Sequence, residues 1–185
     1  MDEDDKFAIL PYFWIPEDTL ELRVRRDHVP YDIWERQGFL QTTEGNVVHY
    51  GYIEKFIEQL GERFNIREIA FDRWGAVQMV QNLEGMEFTV VPFGQGFKDM
   101  SPPTKELMKL TLEQKLAHGG HPVLRWMMDN IFIRTDPAGN IKADKEKSTE
   151  KIDGAIATIM GLDRAIRCGN DTGASVYDSR GLLFI

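Results

Sequence analysis

The chain has 185 residues, 42% of them hydrophobic and 28% charged, which suits one packed domain and excludes a disordered chain. Lys plus Arg number 22 against 30 Asp plus Glu, so the net charge is −8, and this excludes a protein that coats nucleic acid by bulk positive charge. A local groove that grips DNA stays open. The lone Cys168 cannot close an internal disulfide, as expected in a reducing compartment. No apolar run approaches the roughly 20 residues of a membrane span. The start, Met1-Asp2-Glu3-Asp4-Asp5, lacks the basic and apolar pattern of a signal peptide, so the reading is a soluble intracellular domain.

From Lys6 to Ile15 the chain is apolar and aromatic, which predicts a strand interrupted at Pro11. Leu20, Leu22 and Val24 alternate with charges between Asp18 and Asp27, a pattern for a strand or an extended arm. A short helix is expected over Tyr31 to Gln37 and a short strand over Phe39 to Thr43, followed by a turn. Tyr50 to Phe64 carries the clearest helical stripe, with Ile53, Phe56, Ile57, Leu60 and Phe64 on one face and Glu54, Lys55, Glu58 and Glu62 outside it. A strand (66–71), a helix (75–83) and a strand (88–91) follow, an order that points to an α/β layer with parallel neighbours.

Ser101 is expected to cap a helix with Pro102 and Pro103 in its first turn, running to about Ala117. Gly119 and Gly120 break it, and Pro122 opens another helix ending near Asn130. Asp136-Pro137-Ala138-Gly139 predicts a hairpin between 131–135 and 140–143. The last helix is expected from about Thr149 to Arg167, with Ile152, Ala155, Ile156, Ile159, Leu162 and Ile166 as its core stripe. The tail 168–185 reads as flexible and ends in apolar Leu182-Leu183-Phe184-Ile185.

Two carboxylates stand in positions suited to chemistry. Asp72 follows the apolar strand Ile69-Ala70-Phe71, at the strand end where open α/β sheets bind ligands. Asp153 lies in the first turn of the last helix, on a flank shared with Ile156, Ala157 and Met160, which predicts a position along the sheet-facing border. Paired acids of this kind suit Mg²⁺ or Mn²⁺. Each also has a plain structural reading, Asp72 as a turn cap and Asp153 as a partner of the helix dipole. His118 and His121 have zinc-like spacing but no second ligand pair, so loop histidines are the simpler reading. No phosphate-binding glycine loop is present. Lys142, Lys145, Lys147 and Lys151 gather ahead of Asp153 with Asp144, Glu146 and Glu150 among them, either a solvated face or a phosphate-positioning groove. Arg23, Arg25 and Arg26 form a second patch with the same two readings, and the four Trp are expected in the core.

Six phrases occur in order along the chain: Pro11 to Pro16 (PYFWIP), Arg67 to Trp74 (REIAFDRW), Val91 to Phe97 (VPFGQGF), Met100 to Leu107 (MSPPTKEL), His118 to Trp126 (HGGHPVLRW) and Lys147 to Gly154 (KSTEKIDG). Together they resemble the C-terminal nuclease domain of the large subunit of tailed-phage terminases. The resemblance implies a ribonuclease H-like α/β domain over 1–167, a mixed sheet flanked by helices, with 168–185 as a flexible tail. It implies an endonuclease that cuts concatemeric double-stranded DNA during packaging, with Asp72 and Asp153 as catalytic acids holding two Mg²⁺ or Mn²⁺ ions. Lys145, Lys147 and Lys151 would position the DNA backbone, while Arg73 and His118 are helpers without an assigned role.

The resemblance also implies an ATPase domain, a small terminase subunit and a portal as partners, and the cytoplasm of a bacterial host, phage or prophage in origin, as the location. The family's first metal-binding Asp lies on a central opening strand just upstream of the match to Lys6 through Trp14. That strand and its Asp are absent here, and Asp2 to Asp5 match the turn after it. The expectation is a domain lacking its first central strand, weak in metal binding and cleavage, with exposed sheet edges that self-associate or borrow a strand. The alternative is a non-catalytic remnant or docking module that binds packaging partners through its tail. A recombination or junction-resolving nuclease is a third reading that the ordered phrases disfavour.

Overall fold

A computed structural model describes residues 6–72 and 77–169. The tail from residue 170 onward, expected from sequence to be flexible, lies outside the described residues, as do Arg73 and Trp74. The first half contains β1 (Phe7–Ala8), β2 (Trp14–Pro16), α1 (Leu20–Asp27), α2 (Tyr31–Arg36), β3 (Gln41–Thr43), α3 (Tyr50–Arg63), β4 (Ile69–Asp72) and α4 (Val77–Gly85). The second contains β5 (Val90–Phe93), α5 (Phe97–Leu112), β6 (Leu116–Ala117), α6 (Pro122–Asp129), β7 (Ile133–Thr135), β8 (Ile141–Ala143) and α7 (Asp153–Cys168).

Four two-stranded ladders carry the strands. β1 pairs with β6, β2 with β3 and β4 with β5, all parallel, and β7 with β8 antiparallel. The parallel neighbours and the hairpin match the sequence reading. The single mixed sheet does not form among the described residues, because β1 is two residues long and β4 bonds only to β5.

α7 organises the larger core. Its Ala155, Ile156, Ile159 and Leu162 pack with Met100, Leu107 and Leu110 of α5, and with Phe93 at the end of β5. A second cluster gathers Ile15, Val29, Tyr31, Trp34, Leu40, Val123 and Met127. There Trp34 lies 5.6 Å from Trp126 and 5.9 Å from Tyr31, ring centre to ring centre. Burial pushes the Tyr31 hydroxyl up to about 12, and Asp27, which accepts its hydrogen bond at 3.4 Å, reinforces the shift.

Three local expectations are corrected. Residues 20–27 form a helix, not a strand, because Leu20 and Val24, one turn apart, pack on the second core cluster while Leu22 faces out, and the exposed Glu21–Arg25 pair at 3.2 Å adds little. Ser101 is not an N-cap. The helix begins at Phe97 behind Gly96, with Pro102 and Pro103 inside it, and the Ser101 hydroxyl accepts from the Ile141 amide at 3.1 Å, tying α5 to β8. Glu54, expected on the outer face of α3, is its one buried residue and accepts from Asn82 Nδ2 at 3.1 and 3.0 Å. Of its apolar stripe, Ile53, Phe56, Ile57 and Leu60 are only half-buried and Phe64 is exposed.

Candidate metal and nucleic-acid site

The direction of β4 along α7 places the two candidate acids. Glu68, just before β4, accepts from Arg164 Nε at 2.6 Å in the C-terminal half of α7. One turn earlier on that helix, Met160 Sδ accepts from Gln95 Nε2, just beyond β5, at 3.4 Å. The strand thus runs from the C-terminal half of α7 toward its N-terminus. β4 carries Asp72 toward the N-terminal half of α7, the half that opens with Asp153. Asp72 closes the strand at the carboxyl edge of a parallel pair, where it is aligned with Phe93.

Asp72 is half-buried. Asp153, expected along the sheet-facing border, instead leaves 63% of its side chain exposed and accepts from Lys145 Nζ at 2.7 Å. The reason is local. Asp153 is the first helical residue after an Ile152 that offers no side-chain cap, and its carboxylate turns out toward the cationic loop before the helix. The negative charge still sits favourably at the N-terminal end of the helix.

Lys145, Ser148, Glu150, Lys151 and Asp153 line a polar groove of about 270 Å³. Lys147 stands outside this lining, its ammonium 5.5 Å from the centre of the Phe132 ring. Lys142 donates to the Gln95 carbonyl at 3.3 Å, which links β8 to the loop after β5. Arg25 and Arg26 of the other basic patch are paired with Glu21 and Asp27. The lysine group thus lies beside a candidate acid, while that arginine patch is largely taken up by its own helix.

Asp144, counted in the sequence only as one of the interleaved acids, organises this loop. It is buried, and its Oδ1 accepts from the amides of Glu146 and Lys147 at 3.0 and 3.3 Å. Its other oxygen lies 3.5 Å from Arg134 Nη1. Burial raises its carboxyl, but the two amides and the cations of Arg134 and Lys142 outweigh this and hold it below the ordinary value. An Asp followed by polar residues in a loop is the local signal for such a turn.

His121 is not a free ligand. Its Nδ1 accepts from the Leu124 amide at 3.4 Å as the cap of α6, and its ring sits 5.3 Å from Phe13 and 5.0 Å from Phe39. Among the described residues no group of three or more His, Cys, Asp and Glu is placed to hold a metal. The donors present fit a hard divalent ion in kind, since both acids offer carboxylate oxygens and Asp153 already holds an ammonium. With few protein donors, such an ion keeps much of its water.

The model of one family, the endonuclease domain of the terminase large subunit, matches residues 1–168. The chain belongs to that family. Among its relatives, the terminase large subunit of Enterobacteria phage HK97 is 40% identical over 165 residues, which cover 88% of this chain and 33% of that protein. Protein YmfN of Escherichia coli (strain K12) is 30% identical over 166 residues, covering 86% and 36%. The chain thus spans about a third of the length of the curated relatives it matches. The crystal structure of the HK97 large terminase superposes with a TM-score of 0.81 at 39% identity, covering 88% of this chain and 34% of that one. The large terminase nuclease of the thermophilic phage G20c gives 0.51 at 12% identity, covering 65% and 64%, a likeness of fold. This terminase nuclease domain is therefore a mixed α/β unit of a family that serves phage DNA packaging, and no helix among its described residues is long and apolar enough to cross a membrane.

Proposed function

We propose that this chain is the metal-dependent endonuclease module of a terminase large subunit, cutting concatemeric double-stranded DNA during genome packaging. The observation that supports the proposal is the direction of β4, which carries Asp72 toward the half of α7 that opens with Asp153, where Lys145 is bonded to Asp153. Asp72 and Asp153 would offer the carboxylate oxygens that hold Mg²⁺ or Mn²⁺. When bound, two such ions supply an activated water and stabilise the leaving oxygen of a phosphodiester. Lys145, Lys147 and Lys151 would bind backbone phosphates, fixing the duplex without reading its bases. Lys145 would exchange its bond to Asp153 for one to phosphate, freeing the carboxylate as DNA arrives.

The same reading makes the domain ribonuclease H-like, which the parallel β4–β5 pair packed against α7 supports. Its partners would be double-stranded DNA, a terminase ATPase domain, a small subunit and a portal, in the cytoplasm of a bacterial host.

The test is cleavage of supercoiled plasmid with Mn²⁺ by this chain and by its Asp72→Ala and Asp153→Ala variants. Cutting that either substitution abolishes is the expected result. Cutting that survives both substitutions would overturn the assignment of these acids. No cutting by the parent chain, shown to be folded by circular dichroism, would overturn the nuclease reading in favour of a docking module.

A further inference from the structure

α5 carries a line of lysines on the face it turns to solvent. At about 100° per residue, Lys105 and Lys109 fall within about 20° of Lys98 around the helix, and all three are exposed. The opposite face, with Met100 and Leu107, is packed in the larger core. Asp99, Glu106 and the capping Glu113 all fall about 60–100° to one side of the lysine line. The two signs are thus separated around the helix, whereas a face that is merely solvated alternates them. Glu106 holds Lys109 at 3.2 Å, but no acid lies within ion-pair distance of Lys98 or Lys105 among the described residues. Asp136 of the hairpin is near enough to feel the charge of Lys105, yet its oxygens are taken by the Ala138 and Asn140 amides and the Asn140 side chain.

The line begins beside the candidate site. β5 ends at Phe93, aligned with Asp72 at the carboxyl edge, and α5 opens at Phe97. Lys142 Nζ reaches the same corner, 3.3 Å from the Gln95 carbonyl oxygen and 5.4 Å from the centre of the Phe97 ring. β8 then leads on to Lys145, whose ammonium sits on Asp153. Cations therefore continue from the acid groove past the start of α5 and down its outer face. From Lys98 to Lys109 the helix rises about 16 Å, the length of roughly five base pairs of duplex. A chain of net charge −8 repels a polyanion at long range, so a surface that holds one must gather its cations locally. Point charges at intervals of one and two turns on a rigid rod match the uniform phosphate line of a duplex, and they lack the donor forks that read bases.

We propose that the outer face of α5 is a second contact for double-stranded DNA, holding the backbone beyond the candidate site through Lys98, Lys105 and Lys109. The choice of DNA as occupant rests on the nuclease reading, but the contact is measured without metal, so the two fail separately. The test is binding of a fluorescent duplex in EDTA over a salt series. Lys98→Ala combined with Lys105→Ala is expected to weaken binding several-fold at low salt and to lower the slope of log affinity against log salt by about 2, at about 0.9 per phosphate contact. Lys98→Arg combined with Lys105→Arg keeps the slope, and Lys55→Ala on the exposed side of α3 leaves it unchanged. In the Cys168→Ser background, a photo-cross-linker attached at Lys105→Cys is expected to capture the duplex, and the same group at Lys55→Cys is not. A slope lowered equally by Lys55→Ala would reduce the effect to net charge and overturn the proposal. An unchanged slope without a cross-link from position 105, beside Asp153-dependent cutting, would overturn the α5 contact and leave the nuclease reading intact. A lowered slope and a cross-link without any cutting would keep the α5 contact and overturn the nuclease reading alone. Absence of duplex binding by the parent chain would overturn the proposal in favour of an acidic protein partner.

Discussion

Gly154 lies where α7 meets the second core cluster, and replacing it tests how firmly that junction is packed. A Cβ built on Gly154 would stand 2.6 and 2.8 Å from Phe13 ring carbons and 2.9 Å from the Met127 sulfur. The Gly154 amide already donates to that sulfur at 3.1 Å. Met127 is buried and Phe13 packs against the His121 ring, so neither neighbour retreats without disturbing others. Forcing a methyl group into such a site costs about 1–3 kcal/mol. Removing a glycine from the unfolded chain returns about 0.4–1 kcal/mol. The balance for Gly154→Ala is a loss of roughly 1–2 kcal/mol, or about 2–8 °C in Tm for a domain of this size. Gly85, at the end of α4, has nothing within 4 Å of its built Cβ and no positive φ. Gly85→Ala therefore keeps only the unfolded-state gain and raises stability by about 0.4–1 kcal/mol. Thermal and urea unfolding of both variants provides the assay. If Gly154→Ala matches or exceeds the parent in stability while Gly85→Ala behaves as stated, Phe13 and Met127 are free to move and the packing argument is wrong.

Three further predictions follow from the same geometry. Burial lowers the His121 pKa, with His118 adding to the effect, so the unfolded chain binds this proton more readily. Stability contributed by neutral His121 is present above the ordinary histidine value near 6.5 and falls as pH drops below it. His121→Asn, which keeps a capping side chain, is expected to flatten the denaturation-midpoint profile between pH 7.5 and 5, and an unchanged slope would assign the effect elsewhere. Lys145→Ala removes an exposed ion pair and should shift stability by less than about 0.5 kcal/mol. On duplex DNA it should weaken binding equally across sequences and reduce the salt slope by about 1, whereas a base-specific loss would contradict phosphate positioning. Ser101→Ala takes the acceptor from the Ile141 amide at a cost of about 1–2 kcal/mol. Hydrogen exchange at Ile141 should accelerate, and continued protection there would show another acceptor.

Periodicity carried much of the architecture because burial on one face leaves a regular mark. The stripe of α7, the parallel order around β4 and β5, and the hairpin at Asp136 to Gly139 all follow from spacing and turn chemistry. The family, too, was legible in six ordered phrases. Asp72 and Asp153 were marked by their positions after a strand and at a helix start. What the chain alone left open was the direction in which each side chain faces. The charge of Glu54 suggests solvent, yet Asn82, 28 residues away, gives it a buried partner. Ser101 looks like a helix cap until Ile141, 40 residues on, claims its hydroxyl.

Sequence by itself determined which segments become helices and strands in most of the chain, and which residue types are available for chemistry. Those choices depend on neighbours within a few residues. Tertiary structure decided that β4 runs toward the N-terminal half of α7, the half that opens with Asp153. It also decided that Lys145 sits on Asp153, and that α3 and α7 leave a groove between them. These outcomes depend on packing between residues tens of positions apart, where local pattern fixes the face of an element but not the partner it meets.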